Sequence, residues 1–339
     1  MKKPIIGITI GDINGIGPEV IIKSLEDNRI LKQFTPVIYG SGKVISYYRK
    51  NMDKDDFNFT QIKSLDKVNH KSVNVLNVWD ETTEINPGKE NETGGKYAVI
   101  ALRKALEDLK NGEIQAITTA PLSKELVQTD DFQFPGHTEY LTKEAGATDS
   151  LMFLVHKDLR VGIVTGHIPI KEVSNKITKD AISSKLDLMI KSLQKDFGIK
   201  KPRIAVMGLN PHAGENGLLG VEEKNIITPV IEEFRNRHHL VSGPFPSDGF
   251  FGMTSYKNYD GVLAMYHDQG LIPFKTLAFD EGVNYTAGLS FIRTSPDHGT
   301  AFSIAGKGVA DSTSFRNALY LACDIVNERK EHKDSDMKK

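Results

Sequence analysis

The chain has 339 residues, with 43 Lys plus Arg against 44 Asp plus Glu and a formal net charge of -1, so it is long enough for about two domains and has no basic excess to neutralise a nucleic-acid backbone. A single cysteine, Cys323, excludes an internal disulfide and a thiolate-caged metal and fits a reducing, cytoplasmic setting. No stretch approaches the roughly 18 uncharged apolar residues of a membrane span, so neither nucleic acid nor membrane is an expected partner.

The first predicted element is a strand, Ile5 to Ile10. Gly11 and Asp12 interrupt its apolar run before a signal-peptide core of useful length could form. The loop Gly11-Asp12-Ile13-Asn14-Gly15-Ile16-Gly17 leads into a helix over Pro18 to Lys32, with Pro18 in the first turn where its missing N–H costs nothing. The loop lacks the Gly-Lys-Ser/Thr ending of a P-loop and the G-x-G-x-x-G spacing of a dinucleotide turn. A tight structural turn and an anion contact at the helix start both remain open for it.

Strands are then predicted at Pro36 to Tyr39, Val73 to Val78 and Ala116 to Thr119, with a helix at Gly95 to Leu109. Further strands fall at Met152 to Val155 and Val161 to Thr165, joined as a hairpin near residue 158, and at Ile204 to Leu209 and Val262 to Tyr266. Helices are expected at Lys171 to Phe197, Glu222 to Arg237 and Ser314 to Lys330, followed by a polar tail, KEHKDSDMKK, without an apolar face and expected to fray. Runs such as RIAVMG and GVLAMY are apolar throughout, as in strands buried on both faces. With the alternating helices they predict an α/β protein with a largely parallel sheet.

Three histidines follow buried-strand patterns: His167 in GIVTGHIP, His212 in AVMGLNPHAGENG and His267 in GVLAMYHDQG. Ligand crevices of open α/β sheets lie at the carboxyl ends of strands, and three imidazoles there can hold a divalent ion while leaving positions for substrate. Any one of them alone would more often be a structural histidine; the shared context argues for a site. Asp268, beside His267, and Asp248, in the loop PFPSDGFF, are candidates to orient an imidazole or accept a proton, or else simple turn aspartates. His137 and Thr138 follow a Pro-Gly turn. Lys275, Asn284, Arg293 and His298 decorate a Gly-rich stretch and suit a substrate carrying phosphate and carboxylate. Solvated surface charge is the plain alternative.

Taken together, GDINGIGPE, TTAPLSKE (118–125), FPGHTEYL (134–141), GLNPHAGENG (208–217), YHDQGLIPFK (266–275) and GVNYTAGLSFIRTSPDHGTAF (282–302) resemble the 4-hydroxythreonine-4-phosphate dehydrogenase family over nearly the whole chain. The resemblance implies an isocitrate/isopropylmalate-dehydrogenase-like fold of two α/β domains with a cleft between them, expected here as 1–130 plus 300–339 and 131–299. It implies a homodimer with its active site at the subunit interface, NAD as hydride acceptor (NADP the alternative) and one divalent metal ion per site, Zn, Mg, Co or Mn. By position, His167, His212 and His267 match the family's metal ligands, and His137, Thr138, Lys275, Asn284 and Arg293 its substrate contacts. Residues that bind the nicotinamide cofactor are not assigned, and the proton acceptor stays open among Asp248, Asp268 and Lys275.

The expected reaction is oxidation and decarboxylation of 4-phosphooxy-L-threonine to 3-amino-2-oxopropyl phosphate. The nearest rival is the same chemistry on D-threonate or D-erythronate 4-phosphate, because the sequence departs from the common family pattern at Ile13-Asn14, Leu122-Ser123 and Gly249. An acyl-phosphate transferase and a non-catalytic metabolite-binding protein are the rivals from other classes.

Overall fold

The structure is a computed structural model that describes residues 3–80, 83–123, 125–126 and 137–336. In chain order the strands and helices are β1 (Ile5–Thr9), α1 (Gly17–Leu25), β2 (Thr35–Gly40), α2 (Gly42–Asn51), β3 (Phe59–Ile62), β4 (Val73–Asn77), α3 (Glu92–Lys110), β5 (Ala116–Thr119) and α4 (His137–Glu144). There follow β6 (Leu151–His156), β7 (Leu159–Thr165), α5 (Ile170–Lys176), α6 (Lys179–Lys195), β8 (Arg203–Met207), α7 (Thr228–Asn236), β9 (Leu240–Phe245) and α8 (Ser247–Gly252). The last are β10 (Gly261–Tyr266), α9 (His267–Ala278), β11 (Val283–Ala287), β12 (Arg293–Pro296) and α10 (Thr313–Asp336). This is the α/β class that the sequence pattern predicts. The chain forms two compact units, Met1–Ala145 with Ser290–Asn327, and Gly146–Leu289 with Glu328–Lys339.

In the first unit the strand order is β3-β4-β2-β1-β5-β12, and every pairing is parallel. β1, β2 and β5 are buried almost throughout, which is why β1 and β2 read as continuous apolar runs. The loop after β1 is buried and tied down by polar groups. Asp12 Oδ1 accepts from Asn14 N at 2.9 Å, and the Asn14 side chain accepts from Asn86 N at 2.8 Å and donates to Asn91 Oδ1 at 3.0 Å. Asn91 in turn caps α3 by accepting from Gly94 N at 3.0 Å. The loop's hydrogen-bonding capacity is thus spent largely on the protein itself.

In the second unit the order is β11-β6-β7-β10-β8-β9. β6 and β7 form the expected antiparallel hairpin, β11 pairs antiparallel with β6, and β7, β10, β8 and β9 run parallel. Helix α9 lies on β7 and β10. Gly270 in it permits the close approach, since a Cβ there would stand 3.0 to 3.2 Å from Ile163, Val161 and Ala264 side chains. Phe274, one turn on, is fully buried in the same cluster, a burial that contributes about 1.5–3 kcal/mol.

The single helix predicted over Lys171 to Phe197 is two helices. Thr178 Oγ1 accepts from Ala181 N at 3.2 Å and starts α6 afresh after Ile177 leaves helical geometry. The last helix runs further than its polar sequence suggests, reaching Asp336. Arg329 is one reason: it is bonded to buried Asp196 at 2.6 Å, and Asp196 also accepts from Tyr285 Oη at 2.6 Å. Among the described residues no helix is long and apolar enough to cross a membrane.

Candidate active site

Four neighbouring parallel strands of the second unit point the same way, and their carboxyl ends carry the candidate residues. β7 ends two residues before His167, β8 five before His212, β10 immediately before His267, and β9 three before Asp248. The register pairs Tyr266 with Thr165 across β10 and β7, so His267 and His167 leave the sheet side by side. Their ring centroids stand 5.4 Å apart. Asp268 Oδ1 accepts from His267 Nδ1 at 2.7 Å, an arrangement that fixes the tautomer and turns Nε2 outward.

His212 is exposed on an unusual turn. From His212 to Asn216 every residue has positive φ: 52, 50, 77, 42 and 58°. Left-handed backbone costs a non-glycine residue about 1–2 kcal/mol, and such strain persists only where surrounding contacts dictate it. His212, Asp248 and Asp268 line one cavity of about 750 Å³, whose other wall is largely apolar, with Phe251, Ile272, Pro273 and Leu277. Gln269 braces this end of the sheet: its Oε1 accepts from Met265 N at 2.6 Å and its Nε2 donates to Gly208 O at 2.6 Å and Ser247 Oγ at 2.8 Å.

Three imidazoles at the ends of adjacent strands, one oriented by a carboxylate, fit a divalent cation in kind. Among the described residues no group of three His, Cys, Asp or Glu side chains stands close enough, as arranged, to hold an ion. The sequence-predicted residues of the second unit do not all share this end. Lys275 lies eight residues beyond His267 on α9, about 12 Å along a helix, with its Nζ 5.8 Å from the Phe279 ring centroid. Asn284 pairs with Leu154, which pairs with Val161 near the start of β7, so it sits toward the opposite end of the strands from His167. Its Oδ1 is buried without a protein partner.

In the first unit Arg293 opens β12 at 3% exposure. Its Nε and Nη2 donate to Thr119 Oγ1 at 3.1 and 2.8 Å. Burial lowers its guanidinium to about 10, against a smaller opposing effect of Glu139. Thr138, half-buried, is in the first turn of α4, which His137 begins. The side chain of His137 lies outside the described residues, as do Lys124 and residues 134–136 of two of the quoted motifs. His298 follows β12 and its Nδ1 meets Gly299 O at 3.1 Å.

Sequence reasoning missed Thr119, Gln269, Asn210 and Glu223. Thr119, Gln269 and Asn210 stood inside quoted motifs, Gln269 beside Asp268 and Asn210 two residues before His212; Glu223 carried no signal beyond its place in a charged run.

The model of the family described as pyridoxal phosphate biosynthetic protein PdxA matches residues 32–322. The chain belongs to the PdxA family. It is 48% identical over 329 residues to the 4-hydroxythreonine-4-phosphate dehydrogenase of Bacteroides thetaiotaomicron, covering 97% of this chain and 90% of that one. A protein of Oceanobacillus iheyensis, named as a candidate D-threonate 4-phosphate dehydrogenase, is 40% identical over 96% of this chain and 98% of its own length. Among solved PdxA-type structures, the 4-hydroxythreonine-4-phosphate dehydrogenase of Klebsiella pneumoniae superposes with a TM-score of 0.82 at 37% identity, covering 96% of this chain and 98% of that one.

Proposed function

We propose that this PdxA-family chain is a metal-assisted, NAD-dependent dehydrogenase that oxidises and decarboxylates 4-phosphooxy-L-threonine to 3-amino-2-oxopropyl phosphate. The observation that carries the chemistry is the placement of His167, His212 and His267 at the ends of adjacent parallel strands, with Asp268 on His267. These imidazoles would hold one divalent ion, Zn, Mg, Co or Mn. Such an ion, when bound, lowers the cost of negative charge on the substrate's hydroxyl and carbonyl oxygens.

The protein's own residues do the rest. Asp268 keeps His267 in one tautomer. The hydroxyl proton passes to Asp248, Asp268 or Lys275, while the hydride on the same carbon passes to NAD, with NADP the alternative. The β-keto acid so formed loses its carboxylate as carbon dioxide, and the enolate left behind takes a proton at the carbon that carried it. Arg293 and Lys275 hold the substrate's anionic groups, with His137, Thr138 and Asn284 as further contacts. Thr119 anchors the Arg293 guanidinium so that its fork is presented in a fixed plane.

The assembly we propose is a homodimer with the active site at its interface. Support comes from the second unit alone: its histidines and its Lys275 and Asn284 stand at different ends, so a second copy is needed to bring the two sets onto one substrate. Ile272, Leu277 and Phe279 on α9, and Leu218 and Met253 near the histidine loops, are exposed apolar side chains suited to such a contact. A cytoplasmic setting fits this role.

The second reading is the same reaction on D-threonate 4-phosphate, favoured by the Oceanobacillus relative. Comparing NADH formation from 4-phosphooxy-L-threonine with that from D-threonate and D-erythronate 4-phosphates, with and without a chelator, tests both. Turnover restricted to the amino acid and abolished by chelation is expected. Preference for a sugar-acid phosphate moves the assignment to the second reading, and chelator-insensitive turnover removes the metal.

A further inference from the structure

Asn210 stands two residues before His212, and its side chain is fixed between two carboxylates. Its Nδ2 donates to Glu222 Oε2 at 2.8 Å and to Glu223 Oε2 at 3.0 Å. With both hydrogens committed, the amide has one orientation, because its oxygen turned toward either acid would meet another acceptor. Glu223 is 5% exposed, and its Oε1 accepts from the backbone N–H of Leu209 and of Asn210, each at 2.7 Å. The carboxylate also lies against the left-handed turn itself, since a Cβ at Gly214 would stand 2.5 Å from Glu223 Oε2.

Glu223 opens a π-helical turn, Glu223–Ile227, whose widened ring is closed by Thr228 N–H on Glu223 O. Such one-turn insertions reposition a side chain within a helix and concentrate at functional sites. Glu222 extends the tie: its Oε1 accepts from Ser174 Oγ at 2.6 Å, and Ser174 is on α5, the helix that follows His167. Two carboxylates therefore link the segment after His167 to the segment before His212.

We propose that Glu223 is a positioning residue for metal binding, setting the place of His212 through Asn210 and the amides of Leu209 and Asn210. This rests on the metal reading above. Backbone bonds close the left-handed turn, among them Ala213 N to Asn210 O, Leu218 N to Glu215 O and Gly214 O, and Leu219 N to Gly214 O, and Glu223 adds an anchor at its entrance from a separate segment. Groups that orient metal ligands from outside the coordination shell change metal affinity by about 10–100-fold when removed, and Glu223 acts in that manner at one remove.

The test uses the full-length protein, stripped of metal and titrated with Zn²⁺ or Co²⁺ against a chromophoric chelator, with the melting temperature of each metal-free variant measured alongside. Glu223→Gln keeps an acceptor but sets an amide against Asn210, and a loss of metal affinity of about tenfold or more is expected. Asp196→Asn, which breaks a buried network elsewhere in the same unit, should lower the melting temperature and leave metal affinity as in the wild type. Glu223→Gln that only lowers the melting temperature overturns the proposal. If Glu223→Gln does not fold, Asn210→Ser removes the bridging amide while sparing the backbone amides on Glu223; weaker metal binding is again expected, and wild-type affinity again overturns it. His212→Ala separates the two claims: if it leaves metal affinity intact, the metal reading itself falls, whereas weakened His212→Ala beside unaltered Glu223→Gln removes only the positioning role.

Discussion

Arg293 and His212 sit in contrasting settings. Arg293 is on a strand, 3% exposed, with its guanidinium seated on a threonine of the neighbouring strand. His212 is exposed on a turn of left-handed residues, with a buried acid bonded to the amides at its entrance. A charge built into a sheet needs no further aiming, and its cost is the desolvation that lowers Arg293 to about 10. An imidazole on a loop costs nothing to expose, and its position must be supplied by the loop. Changes at the first site should therefore disturb binding through a rigid frame, and changes at the second should act through the proposed ion.

The largest expected effect is at the loop. If the proposed ion is held by His212, His212→Ala should lower turnover about a hundredfold or more, because the several kcal/mol of charge stabilisation such an ion supplies are lost, while the melting temperature of the metal-free protein stays near that of the wild type. A large fall in melting temperature would break the contrast by making His212 structural. Next comes Arg293→Lys, which keeps the charge and loses the fork. Charge-assisted bonds of about 1.5–3 kcal/mol are at stake, so kcat/KM for the phosphorylated substrate should fall roughly tenfold to a hundredfold. An unchanged KM would remove Arg293 from the site.

Asp12 sharpens the comparison, since it is a buried charge without the compensation of a ligand. Burial, aided by Glu90 and opposed by the Asn14 amide, raises it from 3.8 to about 6, and its Oδ2 has no partner in the protein. The folded state thus holds the proton more tightly than the unfolded one. The resulting stabilisation is complete below about pH 3.8 and is lost as pH rises through about 6. Asp12→Asn should accordingly gain about 1–3 kcal/mol above pH 7, with the gain vanishing near pH 4. Denaturant unfolding at the two pH values reads this directly, and a gain independent of pH would refute it. The smallest effect belongs to the end of α10: truncation after His332 retains Arg329 on Asp196 and should leave both activity and melting temperature unchanged.

Most strands that were legible in the sequence are apolar on both faces, with β4 (VNVLN) and β5 (AITT) the exceptions. β3, β9, β11 and β12 went unread. β12, RTSP, is buried at every position yet carries no apolar residue but proline; its Thr294 is instead bonded to Thr118 Oγ1 at 3.0 Å and Ala318 O at 2.8 Å. α9 was hidden by Gly270 and Pro273, residues that argue against a helix until the close approach to β7 and β10 is seen. Within the site, residue type and strand-end context pointed to His167, His212 and His267. Neither could disclose that four non-glycine residues around Gly214 adopt positive φ, because the contacts there, with Glu223 among them, form only when the chain has folded.

Helix α9 carries His267 at one end and Lys275 two turns later, at the other end of the same core. An enzyme whose active site takes one of these from each of two copies is one in which different defects need not share a site. Purified His267→Ala and Lys275→Ala proteins, each inactive alone, should regain partial activity when mixed and allowed to exchange subunits, because a hybrid dimer gathers both lesions into one site and leaves the other whole. Two damaged chains would then do what neither can, a form of complementation that a site contained within a single chain cannot produce.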